Sequence, residues 1–308
     1  MGNFWHRVRR RLGLKPKSKA LDLYRSNRRQ FDAFQPLLAF HEKHFAEHRE
    51  AEAALSRKGG EVSIYHSGSN SPAQVKVATS AKFLDMFNFR ESFVDPTGLN
   101  ARQRQLLLAV QSRISARGET AALFEYNTPL HNEFRNSGLK VTASHYVDRE
   151  DDPHREDMQK LSYADAAFDF AIHCDVLEHV PDQKAALAEC YRILKPGGKL
   201  VFTAPVFPME HSVLRAELGD DGTLIRHHPD EIHGDNLTDG VLTFHNFGWD
   251  LVETLRIIGF EPAKLEVCVS DDLGLYSTNC PLWTSLDPLE PGNMLPLVVV
   301  GEKCSAKH

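Results

Sequence analysis

The sequence predicts an α/β domain with a mostly parallel sheet over residues 118–308, preceded by a helical N-terminal region, and three observations predict it. After Gly118, short apolar runs alternate with helical periods, the pattern left by strands joined through crossover helices. Between two of those runs, Leu187, Cys190, Tyr191 and Leu194 fall at i, i+3, i+4 and i+7, one buried helical face. At the end, a helix, a strand, a long loop and a last apolar run read as a closing antiparallel hairpin.

Taken in order, residues 21–57 read as helix, with Leu23, Phe31, Phe34, Leu38, Phe45 and Leu55 among many charges and Pro36 placed to kink or divide it. Gly59-Gly60 closes this stretch, a short strand candidate follows at 62–65, and Ser67-Gly68-Ser69-Asn70-Ser71-Pro72 marks a loop. Asp95-Pro96-Thr97-Gly98 is a further turn ahead of an amphipathic helix at 101–116, whose apolar side includes Leu106, Leu107, Val110 and Ile114. The chain thus divides into a basic tail at 1–20, a helical accessory region with a small irregular module at 21–117, and the α/β domain at 118–308. Within that domain, strands are expected at 121–124, 139–143, 168–174 and 199–204, and helices at 129–136 and 183–194. Asp182 caps the second helix and Lys195-Pro196-Gly197-Gly198 stops it. A helix at 249–258 ends at Gly259, alternating Leu265, Val267 and Val269 give a strand, and 295–301 suits a last buried strand.

Composition narrows the function classes. Five cysteines without C-x-x-C spacing argue against a disulfide framework and a cysteine zinc site. No stretch reaches the ~20 apolar residues of a membrane span, and the basic N-terminus lacks the apolar core of a secretory signal. Seven of the 36 Lys/Arg lie in residues 1–20 with no acid, leaving 29 cations against 42 acids in the rest of the chain. An acidic body is a poor ligand for phosphates, so no nucleic-acid partner is expected. The tail interleaves Phe4, Trp5, Val8, Leu12 and Leu14 with its charges, and either frays or lies on an anionic surface. His6 breaks the myristoylation pattern that Met1-Gly2 begins. A cytoplasmic location is expected, with the tail suited to peripheral contact at the inner membrane face.

The run from Phe168-Asp169-Phe170 through Asp175-Val176-Leu177-Glu178-His179-Val180 to Leu194-Lys195-Pro196-Gly197-Gly198-Lys199-Leu200 resembles the second half of small-molecule class I methyltransferases. Asp157-Met158, with Leu161 and Asp165 ahead of Phe168, adds to the resemblance. It implies a Rossmann-like, doubly wound sheet, S-adenosyl-L-methionine as cofactor, and ligand contacts beyond the carboxyl ends of the strands. Asp157 and Met158 then stand at the adenine, Asp175 and Val176 at the next strand end, and His145 where the family places an acid for the ribose hydroxyls. Glu125-Tyr126-Asn127 occupies the position of the glycine-rich loop but contains no glycine, a departure from the family. Asn88-Phe89-Arg90-Glu91 and the 98–104 stretch resemble an N-terminal metal ribbon of some relatives, here without cysteines. Arg90, Arg102 and Arg104 are left between structural ion pairs and contacts to an anionic ligand.

The implied activity is transfer of a methyl group to a small molecule, sugar or lipid-linked intermediate; the alternative is an inactive methyltransferase-fold protein that serves as a binding or scaffold partner. Residues 206–246 are too long for a simple connection and are expected to cover the acceptor side. His245, beside Phe244 and Phe247, is the first choice of general base, followed by His211 and His179. His227-His228 with Glu231 and His233 suggests ligation, yet adjacent loop histidines make an unreliable ligand pair, and no metal is expected.

Overall fold

The computed structural model describes residues 18–58, 60–66, 69–76, 82–83, 86–87, 89–92, 94–147, 149–234, 240–276 and 294–305. The basic tail falls outside them as far as residue 17, and so does Asn88. Seven strands form one sheet: β1 (Arg29–Phe31), β2 (Thr120–Leu123), β3 (Lys140–Ala143), β4 (Phe168–Cys174), β5 (Leu194–Thr203), β6 (Phe260–Val267) and β7 (Leu297–Lys303), in the order β1-β6-β7-β5-β4-β2-β3. β3, β2, β4 and β5 pair in parallel. β7 runs antiparallel to both β5 and β6, which is the expected closing hairpin, and β1 pairs antiparallel with β6.

Period-two burial splits the sheet into two faces, each with its own core. Ala122, Ala171, Leu200, Phe202 and Val299 face α5 (Gln183–Ile193) and α6 (Asp250–Ile258), which bring Leu187, Cys190, Leu251, Val252 and Leu255. Ala121, Leu123, Phe170, Ile172, Val201 and Val298 face the other core, shared with α1 (Lys19–Asn27), α3 (Ala101–Gln111) and α4 (Pro129–Asn136). Each fully buried Leu or Phe contributes roughly 1.5–3 kcal/mol. Helix ends follow local chemistry: Asp182 accepts from Ala185 N–H at 2.9 Å, and Asn100 and Gln103 cap each other at the start of α3. Gly259 ends α6 at φ 118, a conformation that favours glycine.

Three expectations are corrected. The helix over 21–57 divides before Pro36, between α1 and α2 (Phe34–Lys58), because β1 lies between them. Pro36 sits in the first turn of α2, where its missing N–H is tolerated. Helix α3 ends at Gln111, short of residue 116. Lys195-Pro196-Gly197-Gly198 stops α5 as expected but already belongs to β5, which starts at Leu194.

The region expected as an accessory enters both cores and supplies an edge strand. One carboxylate ties it down. Glu266 on β6 is 0% exposed. It accepts from Tyr24 Oη at 2.5 Å, Gln30 Nε2 at 2.7 Å, Arg113 Nη2 at 2.7 Å and Arg28 Nη1 at 3.3 Å. Burial opposes its charge, but the Arg113 bonds and charge, with Tyr24 and Gln30, outweigh burial and hold its pKa below the usual range.

Candidate active site

The parallel strands deliver three turns to one edge of the sheet. After β2, Asn127 adopts φ 58, in the left-handed region where glycine usually stands, and asparagine is among the residues that tolerate it. Its N–H donates to His131 Nδ1 at 3.2 Å, Thr128 Oγ1 accepts from His131 N–H at 3.2 Å, and Pro129 opens α4. The turn therefore closes without glycine. Tyr126 stacks on His154 with ring centroids 3.7 Å apart and meets His145 edge-on at 5.2 Å. Burial raises the pKa of Glu125 to about 7; the charge of Asp175 adds to this, while Arg102 and the Thr128 hydroxyl oppose it.

After β3, residues 144–167 contain no helix among those described; His145 bridges to Arg155 and Asp157 to Lys160. The short acidic stretch at 146–155 thus carries no crossover helix among its described residues. His145 Nε2 lies 3.3 Å from Asp152 Oδ2. Asp157 Oδ1 accepts from the Gln159 backbone N–H at 2.8 Å and side-chain Nε2 at 3.1 Å, whereas Oδ2 receives one long bond from Gln159 at 3.4 Å. Met158 is buried in the core beneath.

After β4, Asp175 sits at φ 50 with both carboxylate oxygens engaged. Arg90 Nη2 donates to them at 2.8 and 3.1 Å, and Arg102 Nη1 makes a further short bond to Oδ2. Burial opposes this charge, but the two arginines hold the Asp175 pKa well below the carboxylate range. The arginines whose role the sequence left open therefore form ion pairs. Arg104 does the same more deeply: it is 0% exposed, 3.9 Å from Asp95, and donates to the carbonyls of Leu99, Leu273 and Gly274. Val176 leads into the short turn Leu177–His179.

The three histidines named as bases part company. His245 is buried; its Nε2 lies 3.1 Å from the Pro181 carbonyl, its ring stacks on Phe247, and burial lowers its pKa. This makes it an anchor between the 206–246 segment and the strand-end turn. His211 is exposed beside a groove with Asp32, Phe34, Trp249 and Arg256, away from the three turns. His179 lies in the turn after β4, its Nδ1 2.9 Å from Leu242 O and its ring edge-on to His233 at 5.0 Å. The 206–246 segment docks on this turn as short strand pairs, Val213–Leu214 with His245–Asn246 and Ile232–His233 with Val241–Leu242, and Phe244 N–H donates to Glu178 O at 2.8 Å. Gly248 lets residues 209–211 pack closely against the start of α6, since a Cβ there would stand 2.8 Å from Met209 O and the His211 carbonyl carbon.

Sequence reasoning missed Glu178, which is 0% exposed with both carboxylate oxygens lacking a hydrogen-bond partner among the described residues. The available signal was the acid next to an imidazole, Glu178-His179, immediately after a strand end.

Residues 127–202 match a family model described as a methyltransferase domain. Over 48 residues the chain is 44% identical to an arsenite methyltransferase of Aquipseudomonas alcaligenes, covering 16% of this chain and 14% of that one. Over 100 residues it is 28% identical to a Mycolicibacterium smegmatis protein named "Probable S-adenosylmethionine-dependent methyltransferase", covering 32% and 35%. The chain thus spans well under half the length of these curated relatives. Among solved structures, the 1,6-didemethyltoxoflavin-N1-methyltransferase of Burkholderia thailandensis, with 1,6-didemethyltoxoflavin and S-adenosylhomocysteine bound, is similar at 18% identity and TM-score 0.39, covering 67% of this chain and 79% of that one. The matched stretch, which holds the Asn127 turn, α4, β3, β4, α5 and most of β5, is thus similar to a methyltransferase domain.

Proposed function

We propose that this protein transfers the methyl group of S-adenosylmethionine to a small-molecule acceptor, with a sugar or a lipid-linked intermediate as the finer possibilities. The observation that carries the reading is the family match at 127–202, which contains the Asn127–Thr128 turn and the ends of β3 and β4 that share one sheet edge. The residues present fit the cofactor. Asn127 makes the tight turn without a glycine, and Asp157 Oδ2 retains accepting capacity for an amino group.

In this reading Glu125, Tyr126 and Asn127 line the cofactor with the first N–H groups of α4, His145 bonds a ribose hydroxyl, and Asp157 with Met158 holds the adenine. Val176 borders the reacting end, while Asp175 acts through Arg90 and Arg102, which it fixes in place. The bound cofactor supplies the electrophilic methyl group, and the chain's own work is to hold the acceptor in line and exclude water. The 206–246 segment supplies that cover, with His245 as its anchor, and His179 stands in the strand-end turn on which it docks. The basic tail adds reversible contact with an anionic membrane surface. No described helix is long and apolar enough to cross a membrane.

Calorimetric titration of the full chain with S-adenosylmethionine and S-adenosylhomocysteine tests the reading. One site per chain is expected, weakened by ~1–3 kcal/mol in Asp157→Ala. Absence of binding to either ligand would leave the scaffold alternative in its place.

A further inference from the structure

We infer that Glu178, His179 and His233 form a binding site for a divalent transition-metal ion of the zinc class. Their ligand atoms all lie within 4.8 Å of one another. This departs from the sequence expectation of no metal, and from the grouping of His227, His228, Glu231 and His233. His227 instead contacts Glu217 at 3.0 Å, and His228 is exposed.

Three independent features point to an ion. The first is the tautomer of each ring. Leu242 O can only accept, so His179 Nδ1 at 2.9 Å carries the proton and Nε2 carries the lone pair, 3.9 Å from Glu178 Oε1. His233 Nε2 lies 2.9 Å from Glu231 Oε1, which places the proton on Nε2 and the lone pair on Nδ1. The second feature is the support behind His233. Glu231 is held by Arg215 at 3.3 Å and Asn246 at 3.4 Å, so a carboxylate backs the imidazole as it does behind many metal-bound histidines.

The third is Glu178 itself. A fully buried carboxylate whose two oxygens meet no donor among the described residues is costly in either protonation state, because neither its charge nor its hydrogen-bonding capacity is met. A divalent cation would meet the carboxylate's charge and suits two imidazoles with one carboxylate, the donor set of three-ligand zinc sites that keep an open position. Hard oxygen-seeking ions such as calcium suit this set poorly.

The fold explains why these residues meet. Glu178 and His179 lie in the turn after β4, and His233 comes from the Ile232–His233 strand that pairs with Val241–Leu242. An ion would therefore clamp the 206–246 cover onto the strand end. Its open position would also supply the charge that lowers the pKa of an acceptor oxygen. That second role rests on the methyl-transfer reading; ion binding does not.

The test uses the full chain stripped of metal, titrated with zinc against a competing chelator and with cobalt(II) followed by visible absorption. One zinc per chain is expected, with a cobalt spectrum of nitrogen and oxygen ligation. Glu178→Gln and His233→Ala should each weaken zinc binding by at least about 10-fold, and Glu231→Gln by about 10-fold through its partner. His233 is half-exposed, so its variant also serves if Glu178→Gln fails to fold. Zinc affinity equal to wild type in the folded variants, or no binding above that of a general surface histidine, would overturn the site. Zinc binding without S-adenosylhomocysteine binding would count against the methyltransferase reading alone, and the converse result against the metal site alone.

Discussion

Glu266 and Glu178 are both carboxylates with no exposed surface, and they sit in opposite situations. Glu266, at the sheet edge sealed by the N-terminal region, accepts from Tyr24, Arg28, Gln30 and Arg113, and its pKa is depressed. Glu178, under the cover at the end of β4, has no donor on either oxygen among the described residues, and its pKa is raised. The first arrangement holds a structure together, because every group in it is satisfied. The second costs stability, and sites of this kind persist where they bind something. On the proposed function, the edge is the structural half of the molecule and the strand ends are the working half.

The largest expected effect lies at the edge. Glu266→Ala leaves two arginines and a buried tyrosine hydroxyl without their acceptor, and chemical denaturation should show a loss of about 3–5 kcal/mol. Glu178→Gln in the metal-stripped protein should leave stability unchanged or raise it. A comparable loss in both variants would break the contrast.

The pH dependence sharpens it, with opposite signs for the two groups. Glu266 has a depressed folded pKa, so its stabilisation is present above the unfolded carboxyl value of about 4.3 and is lost as pH falls through the folded value. Glu178 has a raised folded pKa, so stability declines as pH rises above about 4.3 toward its folded value. The advantage of Glu178→Gln over metal-stripped wild type should therefore grow with pH, and the deficit of Glu266→Gln should shrink toward acid. Denaturation midpoints across that range check both slopes.

A smaller effect separates anchoring from proton transfer at His245. Its Nε2 bond to the Pro181 carbonyl predicts a cost of about 1 kcal/mol for His245→Ala. His245→Gln can restore a donor to that carbonyl and should recover stability and any turnover lost with the cover. Persistent loss of turnover in a stable His245→Gln protein would return His245 to the role of base.

Legibility followed the same division. Helix α4 and strand β4 lie where the apolar pattern predicts, since that signal is local. Strand β1 was hidden because three residues, Arg29–Phe31, carry too little periodicity to interrupt a helical pattern, and only pairing with β6 makes them a strand. The glycine-free turn was visible, but not that Asn127 would take the left-handed position itself. Arg90 and Arg102 were visible as charges, while their shared partner Asp175 lies 85 and 73 residues away. Glu178 and His233 were the hardest. A turn acid gives no local sign of burial, and their approach depends on how the 206–246 cover docks.

The most direct test is hydrogen–deuterium exchange of the full chain with and without S-adenosylhomocysteine. Slower exchange is expected in the turns at 125–128, 145–158 and 175–180, with the edge around Tyr24, Gln30 and Glu266 unchanged. Unchanged exchange at all three turns under saturating ligand, or protection confined to the Glu266 edge, would contradict the assignment of the strand ends as the cofactor site.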